Sequence, residues 1–362
     1  MDDTLYGTRN QRGEWSPQRR VEYAPLFVWP PRPKAMLRWL FGFPGYVLPF
    51  NLLYAFVAIA AWIWATPSRE TMSSFGVGWI AMILVRNAVV LVAWYGVFHL
   101  RLYVRRSQDT RFKYNGKFPA AESDRFTFGS QTKENVFWTL ASGLPIWTAW
   151  EVVTMWLFAS GHIPWLEWAA HPVWCVVLMM LIPLYRELHF YAIHRFIHWP
   201  PLYKAIHSLH HRNTNPGPWS GLSMHPGEHV LYFSAVAIHW VVPSHPIHAM
   251  YTLFHLAMAP VPGHSGYDRI EIGDASIATG GYAHYLHHKY FEVNYADGAI
   301  PLDKWFGSFH DGSPEADAAM KRRRLARGGR TPAPVDTSAQ LSPNCGPAVS
   351  APSETSGPSA SR

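Results

Sequence analysis

Cysteine is almost missing from this chain of 362 residues: there are two, Cys175 within an apolar run and Cys345 in a Pro- and Ser-rich tail. Two cysteines in such unlike settings argue against a disulfide framework and against a thiolate metal site. Charge is also scarce, with Asp, Glu, Lys and Arg making up 15% of the residues. A formal net charge of +7 would suit nucleic acid. The basic residues, however, flank apolar runs instead of lining one face, which argues for membrane topology and against a nucleic-acid partner. Neither a Gly-rich dinucleotide fingerprint nor a cysteine cluster for iron–sulfur is present, so any electrons must come from outside the chain.

What the chain has in quantity is apolar and aromatic surface: 49% hydrophobic residues, with 18 Trp and 17 Tyr, both types that favour membrane interfaces. Four apolar blocks have about the length a bilayer-spanning helix needs. They cover residues 46–65, 78–98, 135–159 and 165–185, the second carrying Arg86 and the third Glu151. Ionised groups inside spans are expensive, so an interhelical Arg86–Glu151 ion pair is expected. A fifth block, 229–261, is broken by Pro243 and Pro246 and reads as a helical hairpin dipping into the membrane or a bent span. The expected fold is all-α: a multi-span membrane bundle of about four spans plus this hairpin, with a histidine-rich helical cap.

Lys and Arg collect before the first span, from Arg9 to Arg38, and after the second, from Arg101 to Arg125, whereas the turn between those spans has only Arg69. The positive-inside rule then places both termini and residues 186–228 in the cytosol of a bacterial inner membrane or endoplasmic reticulum protein. The segments read as a polar Pro/Arg-rich stretch lying along the interface (1–45), two spans with a basic loop (46–134), a histidine-bearing domain (135–312) and a basic, Pro/Ser-rich tail without order (313–362). The basic loop is a candidate dock for an acidic electron carrier, although a positive-inside anchor explains the same charges.

Histidines form three groups: HRFIH with His194 and His198, HSLHH with His207, His210 and His211, and HYLHH with His284, His287 and His288. On a helix, positions i, i+3 and i+4 share a face, so each three-histidine box presents its imidazoles to one region. Eight nitrogens are too many for one tetrahedral zinc and suit two higher-coordinate metals. His189 competes with the first pair, but lies roughly 140° from His194 around the helix, against roughly 40° between His194 and His198. His99, His162, His171, His239, His245, His248, His255 and His310 stand alone and read as ordinary core or surface residues. Metal-bound imidazoles usually donate their second N–H, and Glu187, Glu228, Asp268 and Glu271 are candidate acceptors.

The run YRELHFYAIHRFIHWPPLYKAIHSLHH and the later YAHYLHH resemble the fatty acid hydroxylase and sterol desaturase superfamily of integral membrane non-haem di-iron oxygenases, over roughly residues 135–310. That resemblance implies that the eight clustered histidines are iron ligands and that His264, in GHSGYD, is another. It implies two Fe ions with O2 as co-substrate, a lipid substrate (sterol, fatty acyl chain, alkyl glycerol or carotenoid) and a separate cytochrome b5, or a ferredoxin with its reductase, as electron donor. His189 departs from the pattern, standing where many members carry an acidic residue. The segment MHPGEH is similar to one in sterol-desaturase-like members, which leaves ligand, hydrogen-bonding and substrate-channel roles open for His225 and His229. HPGE also has a superficial likeness to a cytochrome b5 haem motif, but its place between a histidine box and an apolar run argues against a fused haem domain. A reading from another class, a non-redox membrane protein that binds or transports metal, is disfavoured because the boxes sit at span ends instead of mid-membrane.

Overall fold

The structure, a computed structural model, describes residues 1–327 with the exception of Asp297. It is helical apart from two short antiparallel hairpins, β1 (Gly7–Arg9) with β2 (Trp15–Pro17) and β3 (Arg269–Ile272) with β4 (Ala275–Ala278). The principal helices are α1 (Pro33–Phe41), α2 (Leu52–Ala65), α3 (Val77–His99), α4 (Gln131–Trp138), α5 (Leu144–Ala159), α6 (Pro172–Ile197), α7 (Pro226–Phe233), α8 (Pro246–Met258), α9 (Tyr282–Tyr290) and α10 (Pro314–Arg327).

Among the described residues three helical segments are long and apolar enough to cross a membrane: Val47–Ala65, Val77–Val104 and Pro172–Ile197. The first two leave Phe56, Ile63, Val85 and Val89 exposed, an apolar surface of the kind a bilayer covers. The remaining expected span, 135–159, is also helical, with a π-type turn at Thr139–Gly143 joining α4 to α5. Its polar residues Thr148, Glu151 and Thr154 are buried, while Phe137, Ala141, Pro145 and Ala149, four residues apart, form an exposed apolar side. Arg86 of α3 pairs with Glu151 of α5, and Asn87 Nδ2 donates to the second Glu151 oxygen at 2.9 Å.

The span expected at 165–185 starts and ends later. Pro172 at the first helical position opens α6, which continues past the charged pair Arg186–Glu187 because both side chains are buried in protein. The helix thereby carries His194 to its last turn and closes on His198. The hairpin of block 229–261 is present as α7, a 3₁₀ stretch at Ser234–Trp240 and the return helix α8. Every residue of α8 is buried, against α2, α5 and α6, so this arm is the centre of the bundle.

Met1–Ala316 forms one compact unit. Segments that the sequence separates are tied together within it: the Met1 amino group and Arg111 both meet Glu271, at 3.0 and 2.7 Å, and Lys289 meets Glu14 at 3.1 Å. The N-terminal stretch is accordingly a folded flap, with Trp15 buried on Phe112 and Tyr114, and not only an interfacial strip. The tail also needs correction where it is described. Pro314–Arg327 is helical, its Pro at the start and its Ala- and Arg-rich body both favouring helix, and the rest of the expected unordered tail lies outside the described residues.

Candidate metal centre

Nine histidines from four stretches of chain meet in two groups. His194, His198, His207, His211 and His287 form the first, and His210, His264, His284 and His288 the second; within each group the ligand atoms lie within 4.8 Å of one another. Eight of the nine are buried. Helix α6 supplies His194 and its capping His198. Pro200 and Pro201 then end that direction of travel, and a π-type turn at Tyr203–His207 followed by a 3₁₀ turn at His210–Arg212 delivers the second box. Helix α9 supplies the third. Its start packs so tightly on the Pro260–Gly263 turn that a Cβ at Gly281 would lie 2.5 Å from the Gly263 carbonyl oxygen, and this approach sets His264 beside His284.

Each three-histidine box is divided between the groups. His207 and His211 enter the first while His210 enters the second; His284 and His288 enter the second while His287 enters the first. Helical geometry accounts for α9: residues i and i+4 are separated by roughly 40°, but i+3 lies roughly 100° from i+4. The expectation that each box serves one region is thus corrected, and the boxes interlock two sites.

Hydrogen bonds fix the tautomers. A carbonyl oxygen only accepts, so the Nδ1 atoms of His194 (to Tyr295 O, 2.7 Å), His287 (to Val293 O, 2.7 Å) and His264 (to Pro260 O, 2.9 Å) carry the proton. His207 Nδ1 donates likewise to Glu228 Oε1 at 2.8 Å. Their Nε2 lone pairs therefore face inward. The Nε2 of His198 lies 3.1 Å from that of His207, 3.2 Å from His211 and 3.2 Å from His287. In the second group, His264 Nε2 lies 2.9 Å from His284, 3.2 Å from His288 and 3.4 Å from His210.

One N–H per neutral ring cannot satisfy that many nitrogens, and facing lone pairs repel. A cation among them removes the conflict. Imidazole nitrogens about 2.1 Å from one ion are about 3.0 Å apart at right angles and about 3.4 Å apart at the tetrahedral angle, the range seen in both groups. Burial, followed by the neighbouring imidazoles, holds His207, His210, His211, His284, His287 and His288 well below the ordinary histidine pKa and takes His198 down to about 2. The rings are neutral at pH 7, the state in which imidazole ligates metal. The residues present fit two metal ions.

A cavity of about 190 Å³ adjoins the two groups, bounded by His194 and His207 of the first and His210, His264 and His284 of the second. Phe190, Met224, Tyr232 and Pro260 give it apolar walls, and Arg186 and Glu228 add charge.

The profile of the fatty acid hydroxylase family matches residues 177–308, from the second turn of α6 to beyond the last histidine box, so the match takes in all nine grouped histidines. The chain is similar to Delta(7)-sterol 5(6)-desaturases: 29% identical to one from Gibberella zeae, over 42% of this chain and 47% of the relative. With one from Eremothecium gossypii it shares 26% identity over 38% of this chain and 39% of the relative. With another from Aspergillus fumigatus it shares 29% identity over 42% of this chain and 55% of the relative. The matches thus span about half the length of these curated relatives. No solved structure matches the chain.

Several residues considered from the sequence lie outside both groups. His189 bonds Ser234 Oγ at 3.0 Å; His225 caps α7, its Nδ1 accepting from Gly227 N at 3.1 Å; and His229 sits between Ser142 Oγ, 2.9 Å, and Leu222 O, 3.2 Å. None of the three joins the metal groups. Among the candidate carboxylates, Glu228 bonds a grouped histidine, His207. Glu187 accepts from Ile300 N at 2.9 Å, Asp268 from Tyr114 at 3.2 Å, and Glu271 meets Arg111. Of the lone histidines, His239 lies between Ser244 and Thr252, His248 reaches the Cys175 carbonyl and His255 reaches Asn51, as core residues do. Sequence reading missed the acceptors at Tyr295, Val293 and Pro260, which are backbone carbonyls and leave no side-chain signal. It also missed Asp303, which accepts from the backbone N–H of Tyr295 and Ala296, at 2.9 Å each, and so fixes the loop that orients His194 and His287.

Proposed function

We propose that this chain is a membrane-bound, O2-dependent oxidoreductase that hydroxylates or desaturates a C–H bond of a lipid, with one iron in each histidine group. The observation that carries the reading is the convergence of two sets of inward-facing Nε2 lone pairs on either side of a cavity with apolar walls. When bound, two irons supply O2 activation and hydrogen abstraction from a C–H bond that acid–base chemistry leaves inert. The protein's own part is to hold nine imidazoles in place, four of them in fixed tautomers, keep water from the site and seat the lipid in the cavity. That the relatives are Delta(7)-sterol 5(6)-desaturases supports a sterol-like substrate, and fatty acyl chains are next in order. Electrons come from a separate cytochrome b5 or a ferredoxin with its reductase, and the histidine groups face the cytosol.

The test is metal analysis and turnover on the purified full chain. Two irons per chain, with O2 uptake and a hydroxylated or desaturated lipid on adding reductant, is the expected result. Firmly held zinc, no O2 uptake and metal flux in vesicles would overturn the reading in favour of a metal-handling protein.

A further inference from the structure

One charged side chain on the cavity wall is only partly engaged by the histidine groups. Glu228 is 3% exposed, in the first turn of α7, and only one of its oxygens is used. Oε1 accepts from His207; Oε2 has no hydrogen-bonding partner among the described residues. A buried carboxylate oxygen without a donor is costly, so the chemistry calls for an O–H or N–H brought by something that enters the cavity.

The walls narrow the class of visitor. Phe190, Met224, Tyr232 and Pro260 are apolar, and an ammonium headgroup would lose its hydration among them. A carboxylate or phosphate at Oε2 would be opposed by the Glu228 charge. A neutral hydroxyl meets neither obstacle, and the apolar remainder of a lipid suits the same walls.

We propose that Glu228 is a substrate-anchoring residue, its Oε2 accepting the O–H of a lipid that carries a neutral hydroxyl near the carbon to be oxidised. This deepens the lipid-oxidase reading and rests on it. Because the other oxygen of the same carboxylate orients His207, the hydroxyl is held at a fixed offset from the first histidine group. The class of substrate is therefore a neutral hydroxylated lipid, and fatty acids and phospholipids are disfavoured at this site.

The test is equilibrium binding to the purified full chain in detergent, using a saturated 3-hydroxysterol and the 3-ketone of the same skeleton, with metal content measured alongside. The ketone offers no donor. Wild type is expected to bind the hydroxysterol at least about tenfold more tightly, since a site built for a hydroxyl rejects an analogue lacking it. In Glu228→Gln the amide oxygen can still face His207 while its NH₂ replaces Oε2 as a donor, so the preference is expected to shrink or invert toward the ketone with metal content retained. Equal binding of the two sterols by wild type, or an unchanged preference in Glu228→Gln, overturns the anchor while leaving the lipid-oxidase reading in place. Failure of wild type to bind either sterol, or any lipid, removes both.

Discussion

The rings of His287 and His288 stand 83° from one another with centroids 5.9 Å apart, so two residues joined by one peptide bond turn their Nε2 atoms into different histidine groups. The same division at His210 and His211 makes the two groups interdependent in position yet separable by substitution. His287→Ala removes one of five imidazoles from the first group and His210→Ala one of four from the second. Both variants are expected to insert in the membrane and to lose at least about 100-fold of activity, ligand loss costing no less than loss of an outer hydrogen-bonding partner. Metal per chain separates them: His210→Ala, with three ligands left, is expected to fall toward one ion, and His287→Ala to lose less. Near-normal turnover in either variant contradicts the ligand assignment.

How much of this could be read from the residues differs from element to element. The three histidine boxes were legible because imidazole is rarely clustered without a ligand, and Glu228 was reachable because it lies on a short helix beside the second box. The division of each box was not, since HSLHH occupies a π-type and a 3₁₀ turn, whose geometry no side chain announces. The end of α6 was misplaced because hydropathy fades at Arg186 and Glu187, while the helix continues wherever protein buries them. The burial of α8 went unread for the opposite reason: a run apolar on all sides fits a bundle centre as well as a membrane dip.

Gly281 tests whether the approach of α9 matters. Its own backbone is compatible with alanine, at φ −80°, but the added methyl would press on the Gly263 carbonyl oxygen next to His264. Gly281→Ala is expected to loosen the second group and lower activity about 10- to 100-fold, the range for disturbing what orients a ligand. Metal analysis should show loss of one ion per chain and retention of the other. Full occupancy and full activity would mean that the turn gives way without disturbing His264.

The Arg86–Glu151 pair lies between α3 and α5, with Glu151 fully buried and Asn87 and Thr148 completing the polar cluster. Removing one partner of a buried pair strands the other charge, at a cost of about 3–5 kcal/mol. Glu151→Leu and Arg86→Met are each expected to lower the thermal unfolding temperature in detergent by several degrees. The double variant is expected to be less destabilised than the sum of the two. Additive losses would show that the pair is not a coupled unit.

Lys113 supplies a pH dependence that can be worked out in sign. It is fully buried in the basic loop, its Nζ 3.0 Å from Asn215 Oδ1, and burial takes its pKa from the ordinary 10.5 down to about 7. Between those values the unfolded chain holds a proton that the folded chain does not, so stability rises with pH across the window and is lost as pH falls back through 7. The slope from one such group is about 1.4 kcal/mol per pH unit. Unfolding in detergent from pH 7 to 9.5 should therefore show wild type gaining on Lys113→Met as pH rises, with the variant more stable at the acid end. Tyr103, Phe118 and Tyr267 act against this, their ring centres lying 5.9, 5.6 and 5.8 Å from Nζ, since ring faces favour the ammonium form. Near the 6 Å limit of such contacts each contributes about 0.5 kcal/mol, roughly 1.5 kcal/mol for the three, against roughly 5 kcal/mol for a shift of this size. Parallel pH profiles for the two proteins would reverse that ranking and show that the loop holds a charged lysine next to the second histidine box.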